Sequence, residues 1–303
     1  MKAVKYSEYG GADVLESVEV PKPHPGPGQV RIAVRAVGVN PIDTKQFSGQ
    51  FRDFMPVDFP AGVGKEAAGI IDEVGKGVSG VSIGDAVFGL GADTLAEYAI
   101  LDSWTPMSDN MPFEVAGGLA VAAETALRSL EGVGVKNLET LLVSGAAGGV
   151  GSLVIQLALH RGVTVIGTAT EPKHDYLRDL GAIPTTYGEG LTERVKALAN
   201  NGVDAALDLA GAGDIPEFIE IVGKPSRVLS ISDFSAPEFG AQISTQPMDN
   251  PERALAEAAR LYSDGELKLH LQEVFPFDKA RDAFTLSSKG HVTGKLVISI
   301  KSA

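Results

Sequence analysis

A chain of 303 residues with a formal net charge of −13 and 44% hydrophobic residues has the composition of a soluble globular protein and room for two ordinary domains. It contains no cysteine, which excludes disulfides, thiolate nucleophiles and every zinc site that needs a Cys ligand, and makes reducing cytoplasm the expected compartment. The acidic balance, with no cluster of Lys and Arg, argues against nucleic acid, whose phosphates are bound by cations that displace counterions. The start, "MKAVKYSEYG", meets Glu8 before any apolar run develops and does not read as a signal peptide. From residue 1 to about 105 the pattern is one of strands and turns: "QVRIAVRAVGV" is a strand, "PKPHPGPG" a loop, and "GIIDEVGKGVSGVSIGDAVFG" a series of short β runs separated by glycine. Helical spacing begins near Asn110 with "FEVAGGLAVAAETALRSL".

Strands and helices then alternate to about residue 265. "TLLVSGA", "VTVIGTA", "AALDLA" and "RVLSIS" read as strands, and "GSLVIQLALHRG", "PKHDYLRDLGA", "LTERVKALANNG" and "PERALAEAARLYSDG" as helices, the pattern of a parallel sheet covered on both faces. Residues 140–159 carry no charge and could imitate a membrane span, but four glycines divide them into strand, turn and helix, so no membrane association is expected. The tail ends in a strand, "GKLVISI", whose simplest home is the first domain. The expected organisation is α/β: a β-rich domain from residues 1–109 and 266–303, interrupted by a doubly wound domain over 110–265.

The run "TLLVSGAAGGVGS" places Gly148, Gly149 and Gly151 where backbone amides at a helix N-terminus can face a pyrophosphate. A Gly-rich turn alone is a weak signal, but here a strand precedes, a helix follows, and a second strand ends about 20 residues later, as the dinucleotide fingerprint requires. Ala146 stands at the first glycine of the usual pattern, tolerable if its φ is negative. At the end of the second strand, "VIGTATEPKH", NAD sites hold a carboxylate for the ribose hydroxyls. Ala169 stands near that position, followed by Thr170 and Lys173, a hydroxyl and a cation suited to a 2′-phosphate, so NADPH is the expected cofactor. The other reading of Lys173 is a solvated residue of a first helical turn.

The order of these motifs, "MKAVKYSEYGGADVLE", "GVNPIDTK", "GVGKEAAGIIDEVG", "GDAVFGL", "AEYAIL", "SGAAGGVGS", "TTYGE" and "GHVTGKLVISI", resembles the zinc-independent quinone oxidoreductases, the zeta-crystallin-like family of medium-chain dehydrogenases/reductases. The resemblance covers nearly the whole chain. It implies a GroES-like catalytic domain split around a Rossmann domain, NADP(H) as hydride donor, and a homodimer. Position by position it implies pyrophosphate contacts through Ala147, Gly148, Gly149 and Val150, and an adenosine-phosphate group of Thr170, Lys173 and Tyr187. It also implies a nicotinamide lining by Gly211, Ile231 and Ser232, with Asn40 and Thr125 near the reacting ring and Thr44, Lys45 and Phe51 toward the substrate. Tyr187 could equally be a half-buried aromatic, and Asn40 before Pro41 an ordinary turn residue.

The resemblance also frames the metal question. Zinc-using relatives hold their metal with a Cys and a His; Asn40 and Lys65 occupy those positions here. A charged ammonium has donors only and cannot ligate zinc, and the five histidines lack ligand spacing, so no metal is expected. Without a Lewis acid the favoured acceptors are quinones or other conjugated carbonyls, whose anions are delocalised; the alternatives are an NADPH-dependent reductase of enone or alkenal double bonds and a weakly catalytic NADPH-binding protein with a sensor or structural role. Asn40, Lys65 and Lys45 are the candidate donors to the developing oxygen charge. For Lys65 the competing reading is an ion pair with Asp43 that fills a vacated ligand site, and Glu66 reads as a structural partner.

Overall fold

The computed structural model describes residues 1–301. Alternating apolar positions build the first strands: β1 (Lys2–Tyr6), β2 (Glu16–Glu19) and the ten-residue β3 (Val30–Val39), nearly all of it buried. At Pro41, which presets helical φ at a first turn, the chain enters α1 (Pro41–Phe47). Then follow β4 (Ala61–Gly62), β5 (Glu66–Val74), β6 (Ala86–Leu90), β7 (Tyr98–Leu101) and β8 (Ser103–Pro106). The helical run expected from residue 113 is two helices, α2 (Phe113–Gly117) and α3 (Ala120–Val133), broken where Gly117 and Gly118 stand together.

The alternating section contains β9 (Thr140–Val143), α4 (Gly149–His160), β10 (Thr164–Thr168), α5 (His174–Asp179), β11 (Ile183–Thr185), α6 (Leu191–Leu198) and β12 (Ala205–Asp208). It continues with α7 (Ile215–Val222), β13 (Val228–Ser230) and β14 (Gln242–Ile243). The chain closes with α8 (Pro251–Ser263), β15 (Leu271–Pro276), α9 (Ala280–Ser288) and β16 (Lys295–Ser299).

Two compact units result: Met1–Val121 with the chain from Asn250 onward, and Ala122–Asp249. These breaks differ from those expected at 109/110 and 265/266. The reason is packing: α2 lies on β3 and β5, and α8 lies on β8, so both helices belong to the first unit although they adjoin the alternating section in sequence.

In the first unit a seven-stranded sheet runs β15-β16-β3-β5-β6-β8, with β7 also pairing β3, beside a small sheet β2-β1-β4. The tail strand therefore does return to this unit, and to its interior: β16 lies antiparallel to β3 with Leu296 opposite Val39, and parallel to β15. Tyr6, Ile32, Phe47, Leu101, Phe284 and Ile298 are among the residues of its core.

The second unit is one parallel sheet ordered β11-β10-β9-β12-β13-β14. Counted from its own first strand this is 3-2-1-4-5-6, the doubly wound order in which ligands meet the carboxyl ends of the strands where the order reverses. That reversal lies between the neighbouring strands β9 and β12. Its core includes Leu142, Ile166, Leu191, Ala206 and Phe218.

Candidate functional site

In the second unit, β9 ends at Val143 and the chain turns through Ser144–Gly145–Ala146–Ala147–Gly148 into α4. The residue that carries left-handed backbone is Gly145, at φ 62°, and not Ala146, so the effective spacing is Gly145, Gly148, Gly151. Gly151 is required by packing: a Cβ there would lie 2.4 Å from the Gly145 carbonyl oxygen. Gly148 is different, because a Cβ on it would meet only that same oxygen, at 3.4 Å. No side chain caps α4 at Gly148. A twelve-residue helix thus begins with bare amides and its positive dipole end beside a glycine whose bareness the protein itself does not need, a cradle fit for a pyrophosphate.

Beyond β10, Thr170 precedes a single 3₁₀ turn, Glu171–Lys173. Burial lowers the Lys173 pKa. β10 pairs with β11, Thr168 opposite Thr185, and the Ala169 amide donates to the Thr185 carbonyl at 3.0 Å. That pairing sets the loop after β11, with the half-exposed Tyr187, beside the Thr170 segment, so the structure brings the adenosine-phosphate candidates to one sheet end. The Arg194 guanidinium, not anticipated from sequence, donates to the carbonyls of Thr186, Gly188 and Glu189 at 3.0, 3.1 and 2.7 Å.

At the other side of the switch point, Gly211 (φ 67°) and Ser232 lie together: a Cβ on Gly211 would be 2.7 Å from the Ser232 Cβ. The Ile231 amide donates to the Asp208 carbonyl at 3.1 Å. The organiser is the fully buried Asp208 carboxylate. It accepts from the Ser144 and Ser230 hydroxyls at 2.8 and 2.7 Å and from the Gly211 amide at 2.9 Å. Ser144 in turn accepts from the Leu209 amide, and Ser230 from the Ser232 and Asp233 amides. Three strand ends are tied to one side chain. An Asp at a strand end followed by small residues was the available signal, but its partners lie 64 and 22 residues away. Thr125, on α3, is buried, with its hydroxyl 3.3 Å from Glu124 Oε2.

In the first unit, Asn40 follows β3 as the N-cap of α1, and its amide nitrogen donates to Glu66 Oε1 at 2.8 Å and contacts the Gly38 carbonyl at 3.5 Å. Its carbonyl oxygen accepts from Lys295 Nζ at 2.7 Å, and the same ammonium donates to Glu66 Oε1 at 2.8 Å. Glu66 Oε2 accepts from the Val121 amide. Gly38 makes this possible, since a Cβ there would stand 2.1 Å from Glu66 Oε1. Beside Asn40 there is therefore a buried ion pair, Lys295–Glu66, and Asn40 Oδ1 and Glu66 Oε1 both accept from one ammonium. Among the described residues no group of three or more His, Asp or Glu could hold a metal ion.

Lys65 is half-buried. Burial pushes the Asp43 carboxyl up to about 6, opposed first by the Lys65 charge and then by the Asn40 amide, at 3.1 Å, and the Lys295 charge. Asp43 Oδ1, Thr44 Oγ1 and the Tyr6 hydroxyl are buried without a hydrogen-bond partner, and burial with the neighbouring Tyr9, Asp93 and Asp43 raises Tyr6 to about 12. Lys45 and Phe51 meet, with Nζ 5.4 Å from the ring centroid.

The chain matches the family model for the alcohol dehydrogenase GroES-like domain over residues 26–120 and that for zinc-binding dehydrogenase over 183–298. It is 31% identical to 2-methylene-furan-3-one reductase of Solanum lycopersicum, over 98% of this chain and 79% of that protein. It is 35% identical to the pikromycin polyketide synthase component PikAII of Streptomyces venezuelae, over 91% of this chain, which spans only 8% of that protein's length. Among solved structures, the quinone oxidoreductase from Coxiella burnetii superposes with a TM-score of 0.84 at 29% identity, covering 99% of each chain. Mycobacterial Rv1454c complexed with NADPH superposes at 0.85 with 28% identity, again covering 99% of each.

Proposed function

We propose, from the fact that this chain belongs to the quinone oxidoreductase family of medium-chain dehydrogenases/reductases, that it is an NADPH-dependent reductase of quinones and other conjugated carbonyl compounds. The observation that carries the reading in this chain is the pair formed by the Gly145–Gly148–Gly151 turn and the strand end without a carboxylate at Ala169. NADPH, when bound, supplies the hydride. The bare amides of α4 take its pyrophosphate. Thr170, Lys173 and Tyr187 face the adenosine phosphate, and the Asp208-ordered backbone at Gly211, Ile231 and Ser232 lines the nicotinamide half.

On the acceptor side we assign Thr44, Lys45, Phe51 and Thr125 to the surroundings of the substrate and Lys65 to the developing oxygen charge. Asn40 makes its hydrogen bonds to Glu66, Gly38 and Lys295, so its part is to hold that corner rather than to donate. We read the reaction as zinc-independent, because Asn40 Oδ1 and Glu66 Oε1 are engaged by an ammonium and Glu66 Oε2 by the Val121 amide. A delocalised anion needs only modest stabilisation, which a half-buried lysine supplies. A homodimer in a reducing cytoplasm completes the proposal; light scattering measures the first and fractionation the second.

Stopped-flow mixing of the NADPH complex with a panel of quinones and enones tests the activity, and no cofactor oxidation with any acceptor would refute it. The likeness to 2-methylene-furan-3-one reductase favours a second reading within the same chemistry, hydride delivery to the β carbon of an enone. Product analysis separates a saturated ketone from a hydroquinone. Lys65→Met with unchanged turnover on a good acceptor would remove Lys65 from the mechanism.

A further inference from the structure

We infer that Arg194 is a positioning residue that sets the preference for NADPH over NADH, by organising the loop of residues 186–189 and by lending that loop a positive charge. The inference deepens the cofactor reading given above and rests on it.

Arg194 lies in α6, an amphipathic helix that buries Leu191, Thr192 and Val195 and from whose other face an arginine would ordinarily extend into solvent. Instead it folds back over the preceding loop. Nη1 donates to the Glu189 carbonyl at 2.7 Å, and Nη2 lies 3.0, 3.4 and 3.1 Å from the carbonyls of Thr186, Tyr187 and Gly188. Four consecutive carbonyls converge on one guanidinium. Two glycines make the wrap feasible: Gly188 (φ 82°) and Gly190 (φ 77°) take left-handed backbone, and a Cβ on Gly190 would stand 3.0 Å from Nη1.

This arrangement is unusual for a surface helix in two respects. Nε of Arg194 is buried without a hydrogen-bond partner, a cost that an extended side chain would avoid. Its nitrogens donate to backbone carbonyls, which are dipoles and not anions, so they orient the guanidinium without neutralising it. In a chain of net charge −13 this is a site where positive charge is kept.

The clamped loop carries Tyr187 and follows directly on β11. Through the Thr168–Thr185 pairing and the Ala169-to-Thr185 hydrogen bond it is fixed beside Thr170 and Lys173. A dianionic 2′-phosphate at this sheet end would gain from both effects, because the loop is held in one conformation and a cation stands behind it. A ribose that bears only hydroxyls would gain from neither. The consequence is selective: Arg194 contributes to NADPH binding and not to NADH binding.

The test is a pair of fluorescence titrations of the purified full chain with NADPH and with NADH, for the wild type, Arg194→Met and Arg194→Lys. Arg194→Met is expected to weaken NADPH by roughly tenfold while NADH changes less than about twofold. Arg194→Lys keeps the charge but cannot fork across four carbonyls, and is expected to lose part of the preference. Hydrogen exchange at the amides of 186–189 should accelerate in both variants. A wild type that prefers NADPH, with Arg194→Met that keeps the preference or weakens both cofactors equally, overturns the role of Arg194. A wild type that binds the two cofactors equally refutes the NADPH reading instead.

Discussion

Lys295 and Glu66, 229 positions apart in the chain, meet at 2.8 Å with both side chains almost wholly removed from solvent. Two buried charges are tolerable only because each is satisfied: the ammonium by Asn40 and Glu66, the carboxylate by Lys295, Asn40 and the Val121 amide. Breaking the pair from one side leaves an uncompensated buried charge. Lys295→Met and Glu66→Gln are each expected to cost about 3–5 kcal/mol in urea unfolding, and the double variant Lys295→Met/Glu66→Leu less than the sum of its parts. An additive double-mutant cycle would show that the two do not act as a pair.

Gly148 and Gly151 separate binding from folding. Gly148 has φ −79° and its Cβ would make only an ordinary contact, at 3.4 Å, with the Gly145 carbonyl oxygen, so Gly148→Ala should leave the melting temperature unchanged while weakening NADPH by tenfold or more, because the added methyl fills the cradle. Gly151→Ala drives a methyl against the Gly145 carbonyl and should destabilise the fold by about 1–3 kcal/mol. Calorimetry and titration on the same two variants check both statements.

The Asp208 carboxylate is the shared acceptor of two hydroxyls and two amides. Asp208→Ala takes the acceptor from the buried Ser144 and Ser230 hydroxyls, at about 1–3 kcal/mol for each that finds no water. Its effect on NADPH should exceed its effect on isolated 2′,5′-ADP, which lacks the nicotinamide half that Gly211, Ile231 and Ser232 are proposed to line. Equal losses for the two ligands would contradict that assignment.

Asp43 predicts a pH dependence of stability. Its carboxyl is raised from 3.8 to about 6, so between those values the folded chain binds more protons than the unfolded chain. The stability contributed by protonated Asp43 is fully present below pH 3.8 and is lost as the pH rises through about 6. Asp43→Asn removes this slope, so relative to wild type the variant should gain stability from pH 4 to pH 6 and hold a constant difference above. Urea midpoints measured across that range decide it, and parallel profiles would show that Asp43 does not titrate there.

What could be read from the residues followed from distance along the chain. The strand, turn and helix around "SGAAGGVGS" were legible because apolar periodicity and glycine spacing are local. β11 and β14 escaped notice because they are three and two residues long, and β11 has a proline inside it. α7 was missed because its start carries Pro216 and its interior alternates Glu with Ile. In "GVGKEAAG" attention falls on Lys65, yet the buried charge is Glu66, whose partner comes from the far end of the chain. Arg194 carries no signal in the sequence, because nothing in its neighbours announces that their carbonyls will turn toward it.

The place of β16 between β15 and β3 has a consequence for synthesis. Strands at the edge of a sheet can be added late without disturbing what is already paired, but β16 is interior, and it is the last strand in chain order. While the polypeptide is being made, the second unit can close as soon as its own residues have emerged, since Ala122–Asp249 is continuous. The first unit has to wait with β3 uncovered on one side and Glu66 lacking its counter-ion until Lys295 arrives. The order of manufacture thus matures the nucleotide half first and leaves the other half incomplete until the closing strand is delivered.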